Sequence, residues 1–203
     1  MILYEDSRAP NPRRVRIFLA EKSIDVERQE VEIMSKAHLR DDILWLNPFA
    51  GVPFLVLDDG QVISETIAIC RYFEELHPEP NLFGKGAEEI AIIEMWQRRI
   101  ELGLFFRVAQ AFRHSNPYMA ELEVPQVPEW GAANYEKIDG ILDQIDKVLE
   151  NNEFIAGDRY SVADITALVA IDFMRIIKKR ISEEHKNLLR WHEQVSARPG
   201  SVR

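Results

Sequence analysis

The sequence contains one cysteine, Cys70, among its 203 residues. A lone cysteine excludes an internal disulfide, a paired-cysteine redox site and a zinc site built from several thiolates. Cys70 lies in an apolar stretch with helical periodicity, which predicts a buried and inert thiol. If this chain performs thiol chemistry, the thiol must therefore belong to another molecule.

Basic residues are scarce relative to acidic ones. Lysine and arginine total 25 against 34 aspartates and glutamates, which gives a formal net charge of -9. This balance argues against nonspecific binding to nucleic acid or to anionic membranes. The arginine-rich stretch of Arg13, Arg14 and Arg16 is expected to form a solvated or interface face of a helix.

Long apolar runs are absent. Nowhere do 18 or more apolar residues follow one another, and the opening MILYEDSRAP shows no basic leader followed by an apolar core. The first absence argues against a membrane-spanning helix and the second against secretion. We therefore expect a cytosolic protein, and we expect no metal cofactor.

Residues 1–78 alternate between strand and helix patterns. The short apolar run 2–4 predicts a strand, and Pro12 marks the first turn of a following helix. The apolar face of this helix would carry Val15, Phe18 and Leu19. Residues 26–33 are rich in β-branched side chains and predict a second strand, parallel to the first because a helix connects the two.

The rest of this region predicts a hairpin flanked by helices. A cluster of breakers at 47–53 precedes the apolar run 54–57. The turn signal Asp58-Asp59-Gly60 and the run 61–63 complete a β-hairpin, because Asp-Gly suits the positive φ angles of tight hairpin turns. The flanking helix patterns lie at 36–46 and 65–76.

Breakers at 78–81 mark the most plausible domain boundary, and the chain beyond them reads as helical. The predicted helices cover residues 88–113, 130–150, 162–177 and 183–196. Ser161 and Asp164 match a capping box at the start of the third of these. The sequence thus predicts an α/β domain of order βαβαββα over 1–78, a linker over 79–87 and an all-helical domain over 88–203.

These segments resemble, in order and over nearly the whole chain, those of the cytosolic glutathione S-transferases, especially the bacterial members. The matching segments are MILYEDSRAPNPRRVRIFLAEK, NPFAGVPFLVLDDG, SETIAI and GDRYSVADI. The resemblance implies a thioredoxin-like N-terminal domain that binds glutathione, followed by a helical bundle. It also implies a cytoplasmic homodimer that uses glutathione as a co-substrate in detoxification.

The resemblance also implies which residues hold glutathione. Pro53 would be cis, leaving the backbone of Val52 free to pair with the cysteinyl part of the tripeptide. Thr66, at a helix start, would hold the γ-glutamyl carboxylate, while Glu65 would face the ammonium group and His38 the glycyl carboxylate. Without the resemblance, a trans proline, an ordinary helix cap and a surface histidine would explain the same residues.

Transferases of this kind stabilise the thiolate of glutathione with one donor near the first strand. The family contains tyrosine, serine, cysteine and asparagine types, and the candidates here are Tyr4, Ser7 and Asn11. Asn11 precedes Pro12 and is expected to cap the first helix, facing the sulfur anion. Ser7 lies nearer the strand, and Tyr4 is expected to point into the core. Asparagine before proline is also common capping chemistry, so both donors remain open.

The second substrate would bind the helical domain. Phe106, Arg107 and Arg113 lie near the far end of the long helix and suit a small apolar electrophile. Core or dimer packing is an equally good explanation of an aromatic stripe at helical spacing. Residues 114–129, which contain three prolines, are expected to form a loop at the rim of this pocket.

Three functions fit this sequence. The leading one is a transferase that conjugates glutathione to small electrophiles. A glutathione-dependent disulfide reductase or peroxidase shares the fold and is favoured by the Pro10-Asn11 pair. A non-catalytic binding protein is the third, because fold alone does not determine activity.

Overall fold

A computed structural model describes residues 1–198 and 200–201, which divide into two units. Residues 1–82 with 200–201 form the first unit, and residues 83–198 form the second. Pro199, Val202 and Arg203, which the sequence assigns to the helical domain, lie outside the described residues.

The first unit contains four strands and three α-helices. They follow the predicted βαβαββα order: β1 (Ile2–Glu5), α1 (Pro10–Glu21), β2 (Glu27–Glu30), α2 (Asp41–Leu46), β3 (Phe54–Val56), β4 (Val62–Ser64) and α3 (Thr66–Leu76). The helix predicted over 36–46 is divided into a 3-10 turn, Ala37–Leu39, and α2.

The strands form one mixed sheet in the order β2-β1-β3-β4. β1 is parallel to β2 and antiparallel to β3, while β3 and β4 form the predicted hairpin. Leu3 of β1 and Phe54 and Leu55 of β3 are fully buried at the centre of the sheet. β2 is shorter than the predicted strand over 26–33, and its four residues are exposed because it lies at the sheet edge.

The hairpin loop differs from the expected tight turn. The Gly60 N–H donates to the Leu57 carbonyl over 3.0 Å, and the Leu57 N–H donates to the Gln61 carbonyl over 2.9 Å. Gly60 has a φ of 87°. The connection is therefore a three-residue loop that needs positive φ at the glycine, whereas a two-residue turn would need it at the aspartate as well.

A buried lysine connects the end of α1 to the end of α3. The Lys22 side chain is 0% exposed, and its Nζ lies 2.7 Å from Glu74 Oε2. The same ammonium group donates to the carbonyl oxygens of His77 and Pro80, each over 2.7 Å. Glu74 Oε1 accepts from the Leu82 N–H over 3.0 Å. This group of contacts holds the chain that leaves α3 against α1.

We expect Lys22→Met to lower the free energy of unfolding by about 3–5 kcal/mol, because a buried carboxylate and two carbonyl oxygens lose the ammonium group that pairs with them. Urea unfolding measures the change. The double variant Lys22→Met/Glu74→Gln should recover part of the loss, since it removes the uncompensated charge. A loss below about 1 kcal/mol in the single variant would contradict a stabilising role for the pair.

The second unit is helical. Its α-helices are α4 (Gly86–Arg98), α5 (Phe106–Ser115), α6 (Pro128–Leu149), α7 (Val162–Phe173) and α8 (Lys186–Ser196). A π-helical segment, Arg99–Phe105, joins α4 to α5, so the long helix predicted over 88–113 is confirmed with a widened middle. In the part of the chain that the structure describes, no helix is long and apolar enough to cross a membrane.

Several boundaries in this unit differ from prediction, among them the start of α8, which is Lys186 and not residue 183. The expected loop 114–129 is shorter, because His114 and Ser115 complete α5 and a 3-10 turn occupies Pro117–Met119. The helix predicted over 162–177 ends as an α-helix at Phe173 and continues as a 3-10 turn over Met174–Ile177.

α7 runs through the centre of the second unit and begins at the predicted capping box. Asp164 Oδ2 accepts from the N–H and the hydroxyl of Ser161, and Oδ1 accepts from the Ile155 N–H and the Trp191 ring N–H, all within 2.9–3.0 Å. Asp164 is 0% exposed. Burial raises the pKa of this carboxyl to about 6, although the four donors oppose the shift.

This shift predicts a pH-dependent contribution to stability. Because the pKa of Asp164 is higher in the folded chain than its ordinary value of about 3.9, the folded state holds the proton more tightly. The stability that Asp164 contributes is therefore fully present below about pH 4 and is lost as pH rises through about 6. The free energy difference between wild type and Asp164→Asn should change by about 3 kcal/mol over this window.

Urea unfolding of both proteins between pH 4 and 7 measures this difference. Asp25→Asn, at an exposed position, is the matched control and should show no such change. A constant difference between wild type and Asp164→Asn would show that this carboxyl keeps its ordinary pKa.

Candidate active site

Three chain segments reach the same edge of the sheet because of its register. Tyr4 of β1 pairs with Phe54 of β3, and Phe54 pairs with Ser64 of β4. Beyond this row, β1 leads to α1, β4 leads to α3, and the chain enters β3. The starts of α1 and α3 and the peptide before β3 therefore lie together at one edge of the first unit.

The start of α3 presents backbone donors. Glu65 is the N-cap residue, its side chain makes no capping hydrogen bond, and the first turn contains no acidic residue. The first intrahelical bond runs from the Ile69 N–H to the Glu65 carbonyl over 3.0 Å. The N–H groups of Thr66 and the next two residues thus have no partner inside the helix. Such a helix start attracts an anion.

The backbone of Glu65 is strained. Its φ is 73° and its ψ is 125°, a region that residues with a Cβ rarely adopt. The side chain is exposed, whereas Thr66 next to it is only 4% exposed. Strain of this kind is typical of functional positions, where neighbouring structure holds the residue in place.

We expect Glu65→Gly to raise the free energy of unfolding by about 1 kcal/mol, because glycine adopts positive φ without a Cβ clash. Glu65→Ala removes the same carboxylate but keeps the Cβ, so it is the matched control and should show no such gain. Urea unfolding compares the two variants. Equal changes in both would mean that the backbone of Glu65 carries no appreciable strain.

The peptide before β3 has an exposed polar backbone. The Val52–Pro53 bond is cis, as the resemblance implied. Within residues 1–198 and 200–201, the N–H and carbonyl of Val52 have no hydrogen-bond partner. Asn47, which is 3% exposed, supports the preceding loop, and its side-chain amide donates to the Gly51 carbonyl over 2.8 Å. The sequence reasoning did not identify this role of Asn47, although asparagine before proline is a known turn signal.

The start of α1 corrects the expected role of Asn11 as a helix cap. α1 begins at Pro10 and its N-cap is Ala9, because proline suits the first helical position. Pro10 and Pro12 have no N–H, and the N–H groups of Ala9 and Arg13 donate to backbone carbonyls. The backbone and side-chain amides of Asn11 are therefore the remaining donors of this first turn.

The side chain of Asn11 is held by an arginine. Arg14 Nη2 donates to Asn11 Oδ1 over 2.7 Å. Arg14 is 4% exposed, so of the two expected locations, a solvated face is wrong for this residue. Arg16 is partly exposed, and it donates to Glu5 Oε2 over 2.9 Å and to the Ser7 carbonyl over 2.8 Å. The two guanidinium groups are held near the start of α1 by the side-chain oxygens of Asn11 and Glu5 and by the Ser7 carbonyl.

Ser7 is engaged by a carboxylate. Its hydroxyl donates to Glu30 Oε1 over 3.3 Å, and its N–H donates to the same oxygen over 3.0 Å. A hydroxyl has one proton, so in this geometry it does not donate to a second anion. The carboxylate of Glu30 would also repel a thiolate at this position.

The remaining residues of the first unit have clear positions. Tyr4 stacks on Phe54 with ring centroids 4.6 Å apart, so its expected place in the core is confirmed. Cys70 is buried, as predicted. His38 is half-buried in the 3-10 turn before α2. Among residues 1–198 and 200–201, no group of three or more His, Cys, Asp or Glu side chains is placed to hold a metal ion.

Three residues are expected in the electrophile pocket. Among them, Phe106 is 44% exposed and presents an aromatic ring, whereas both arginines have hydrogen-bond partners. Arg107 donates to Asn134 Oδ1 over 3.2 Å, and Arg113 donates to Glu123 Oε2 over 3.1 Å.

The second unit contains a cavity of about 420 Å³ between α5, α6 and the 3-10 turn after α7. None of the three expected residues lines it. Its side chains include Phe112, Tyr135, Ile176, Ile177 and Lys178. This volume falls within the range of small-molecule pockets.

Two family models match the chain. The glutathione S-transferase N-terminal domain matches residues 9–76, and the glutathione S-transferase C-terminal domain matches residues 125–199. Glutathione S-transferase 2 of Saccharomyces cerevisiae is 36% identical over 202 residues, which cover 98% of this chain and 87% of that protein.

Solved structures agree with these matches. A glutathione S-transferase domain-containing protein from Marinobacter aquaeolei VT8 is 38% identical and superposes with a TM-score of 0.96, covering 100% of both chains. Gtt2 from Saccharomyces cerevisiae is 35% identical, with a TM-score of 0.94 over 99% of this chain and 98% of that one. The predicted thioredoxin-like domain followed by a helical bundle is thus confirmed, and the chain belongs to the glutathione S-transferase family of enzymes.

Proposed function

We propose that this protein is a glutathione transferase in which Asn11 stabilises the thiolate of bound glutathione for attack on a small apolar electrophile. The observation that carries the proposal is the pair of available Asn11 amides at the start of α1. They lie at the same sheet edge as the free Val52 backbone and the uncapped start of α3.

Glutathione is an anionic tripeptide, and each of its groups has a complement at this edge. The backbone of Val52 would pair with the cysteinyl residue in the manner of an added strand. The α3 start with Thr66 would bind the γ-glutamyl carboxylate, and the exposed carboxylate of Glu65 would bind the ammonium group. We assign His38 to the glycyl carboxylate, on the resemblance alone.

The chemistry requires a thiolate near neutral pH. A free thiol has a pKa of about 8.5 and is mostly protonated there. Donation from the Asn11 amides favours the anion and lowers that pKa, so the proton leaves to solvent. The sulfur lone pair then attacks the electrophilic carbon, a carbon–sulfur bond forms and the leaving group departs with its electron pair.

For the electrophile we propose the helical unit. Phe106 offers an exposed aromatic ring, and the paired cations Arg107 and Arg113 stand on the same helix. The cavity between α5 and α6 adds aromatic and aliphatic walls. These features suit an apolar molecule and do not identify one compound.

Calorimetric titration of glutathione into wild type, Thr66→Ala and Asn11→Ala tests the proposal. We expect Thr66→Ala to weaken binding about tenfold, because a hydrogen bond to a charged group is lost. Asn11→Ala should keep the affinity for protonated glutathione and raise the pKa of the bound thiol by about one unit. Thiolate absorbance against pH measures this pKa.

Asn151→Ala, at an exposed position of the helical unit, is the control and should behave as wild type. Absence of binding to wild type at millimolar glutathione would overturn the enzyme assignment in favour of a non-catalytic protein. If Asn11→Ala leaves the thiol pKa unchanged while Ser7→Ala raises it, Ser7 is the donor.

A glutathione-dependent disulfide reductase or peroxidase is the second candidate. The resemblance favours it through the Pro10-Asn11 pair, whereas Ala9 stands where those relatives have threonine. Parallel assays with a chloronitrobenzene and with a small disulfide separate the two activities. Turnover of the disulfide alone would replace the conjugation proposal. Sedimentation of the same samples tests the homodimer that the family resemblance implies.

A further inference from the structure

We infer that Arg14 is a positioning residue that turns the Asn11 side chain so that its NH₂ group, and not its oxygen, faces the glutathione sulfur. This inference rests on the proposed function, in which Asn11 is the donor to the thiolate. Arg14 itself touches neither substrate in this scheme.

The direction of the amide follows from the chemistry of the pair. Arg14 Nη2 lies 2.7 Å from Asn11 Oδ1. A guanidinium group has donors and no acceptor, so it pairs with the oxygen end of an amide and not with the NH₂ end. The bond therefore determines which end of the Asn11 side chain is left to bind another group.

The location of Arg14 makes this bond effective. The two residues are three positions apart on α1, which places them on the same helix face. Arg14 is 4% exposed, so water competes little for its donors. A charged donor also polarises the amide it binds, which strengthens the opposite N–H groups as donors.

A reversed amide would have the opposite effect on the thiolate. Its carbonyl oxygen would carry partial negative charge toward the sulfur and raise the thiol pKa. The carboxylates of β1, β2 and the loop before α1 do not orient the Asn11 amide, because they have their own partners. Glu5 pairs with Arg16, and Glu30 binds Ser7. Asp6 accepts the N–H of Ile33 over 2.8 Å.

Two mechanisms could connect Arg14 to the thiol pKa, and a double-mutant cycle separates them. Positioning acts through Asn11, whereas the charge of Arg14 could act on the sulfur directly. The proteins are wild type, Arg14→Met, Asn11→Ala and the double variant, with Arg14→Lys as the conservative replacement. The measurement is the pKa of glutathione bound to each protein, from thiolate absorbance against pH.

We expect Arg14→Met to raise the thiol pKa by at least about half of the rise caused by Asn11→Ala. In the Asn11→Ala background, Arg14→Met should add little, because there is no amide left to orient. Arg14→Lys should restore most of the wild-type value, since an ammonium group is also a donor without an acceptor. Arg13→Met removes the adjacent charge on α1 and should leave the thiol pKa near wild type.

Binding of S-methylglutathione shows whether a variant has kept its fold and its peptide-binding groups. This ligand has no thiol, so its Kd should stay within about twofold of wild type in Arg14→Met. If Arg14→Met unfolds, Arg14→Gln takes its place in the cycle. Glutamine carries an acceptor as well as donors, so it also permits the reversed Asn11 amide and should raise the thiol pKa.

The outcomes distinguish this inference from the proposed function. An equal pKa rise from Arg14→Met with and without Asn11 would mean that charge acts directly, and would overturn positioning. No rise from Arg14→Met or Arg14→Gln, while Asn11→Ala raises the pKa, would overturn the inference and keep the proposed function. No rise from Asn11→Ala would overturn both, because Asn11 would then not be the donor.

Discussion

The antiparallel register between β1, β3 and β4 is the constraint on which the candidate site depends. Once Tyr4, Phe54 and Ser64 form one row, the start of α1, the Val52 peptide and the start of α3 must lie at the same sheet edge. A shift of one residue in either pairing would move side chains to the opposite face of the sheet. The stacked rings of Tyr4 and Phe54 favour the observed register because both belong to the core.

At this edge several backbone and side-chain donors have no partner among the described residues. A purely structural role would favour pairing them. Two prolines remove N–H groups from the first turn of α1, so donation there is concentrated on Asn11. The uncapped start of α3 adds further donors behind the strained Glu65 backbone. Donors at a helix start that have no partner inside the helix are available to a ligand. This pattern is what favours glutathione binding over a purely structural interpretation.

Sequence periodicity predicted most of the elements, and its errors have physical causes. The βαβαββα order and the Asp164 capping box were read correctly, because each depends on residues a few positions apart. The strand predicted from residue 26 came out shorter because only four of its residues pair with β1. A solvated or interface face is the expectation for Arg14 because charge is usually exposed, and its burial depends on neighbours that the local pattern does not contain.

The sequence by itself determined the family, the candidate donors Asn11 and Ser7 and the residues expected to hold glutathione. Their roles could not be ranked at that level, since both donors stand in the same loop. In the tertiary structure their surroundings differ: Glu30, 23 positions away, binds the Ser7 hydroxyl, while buried Arg14 donates to the side-chain oxygen of Asn11. A side chain's free hydrogen-bonding groups depend on which distant residues the fold brings within about 3 Å, and local spacing does not contain that information.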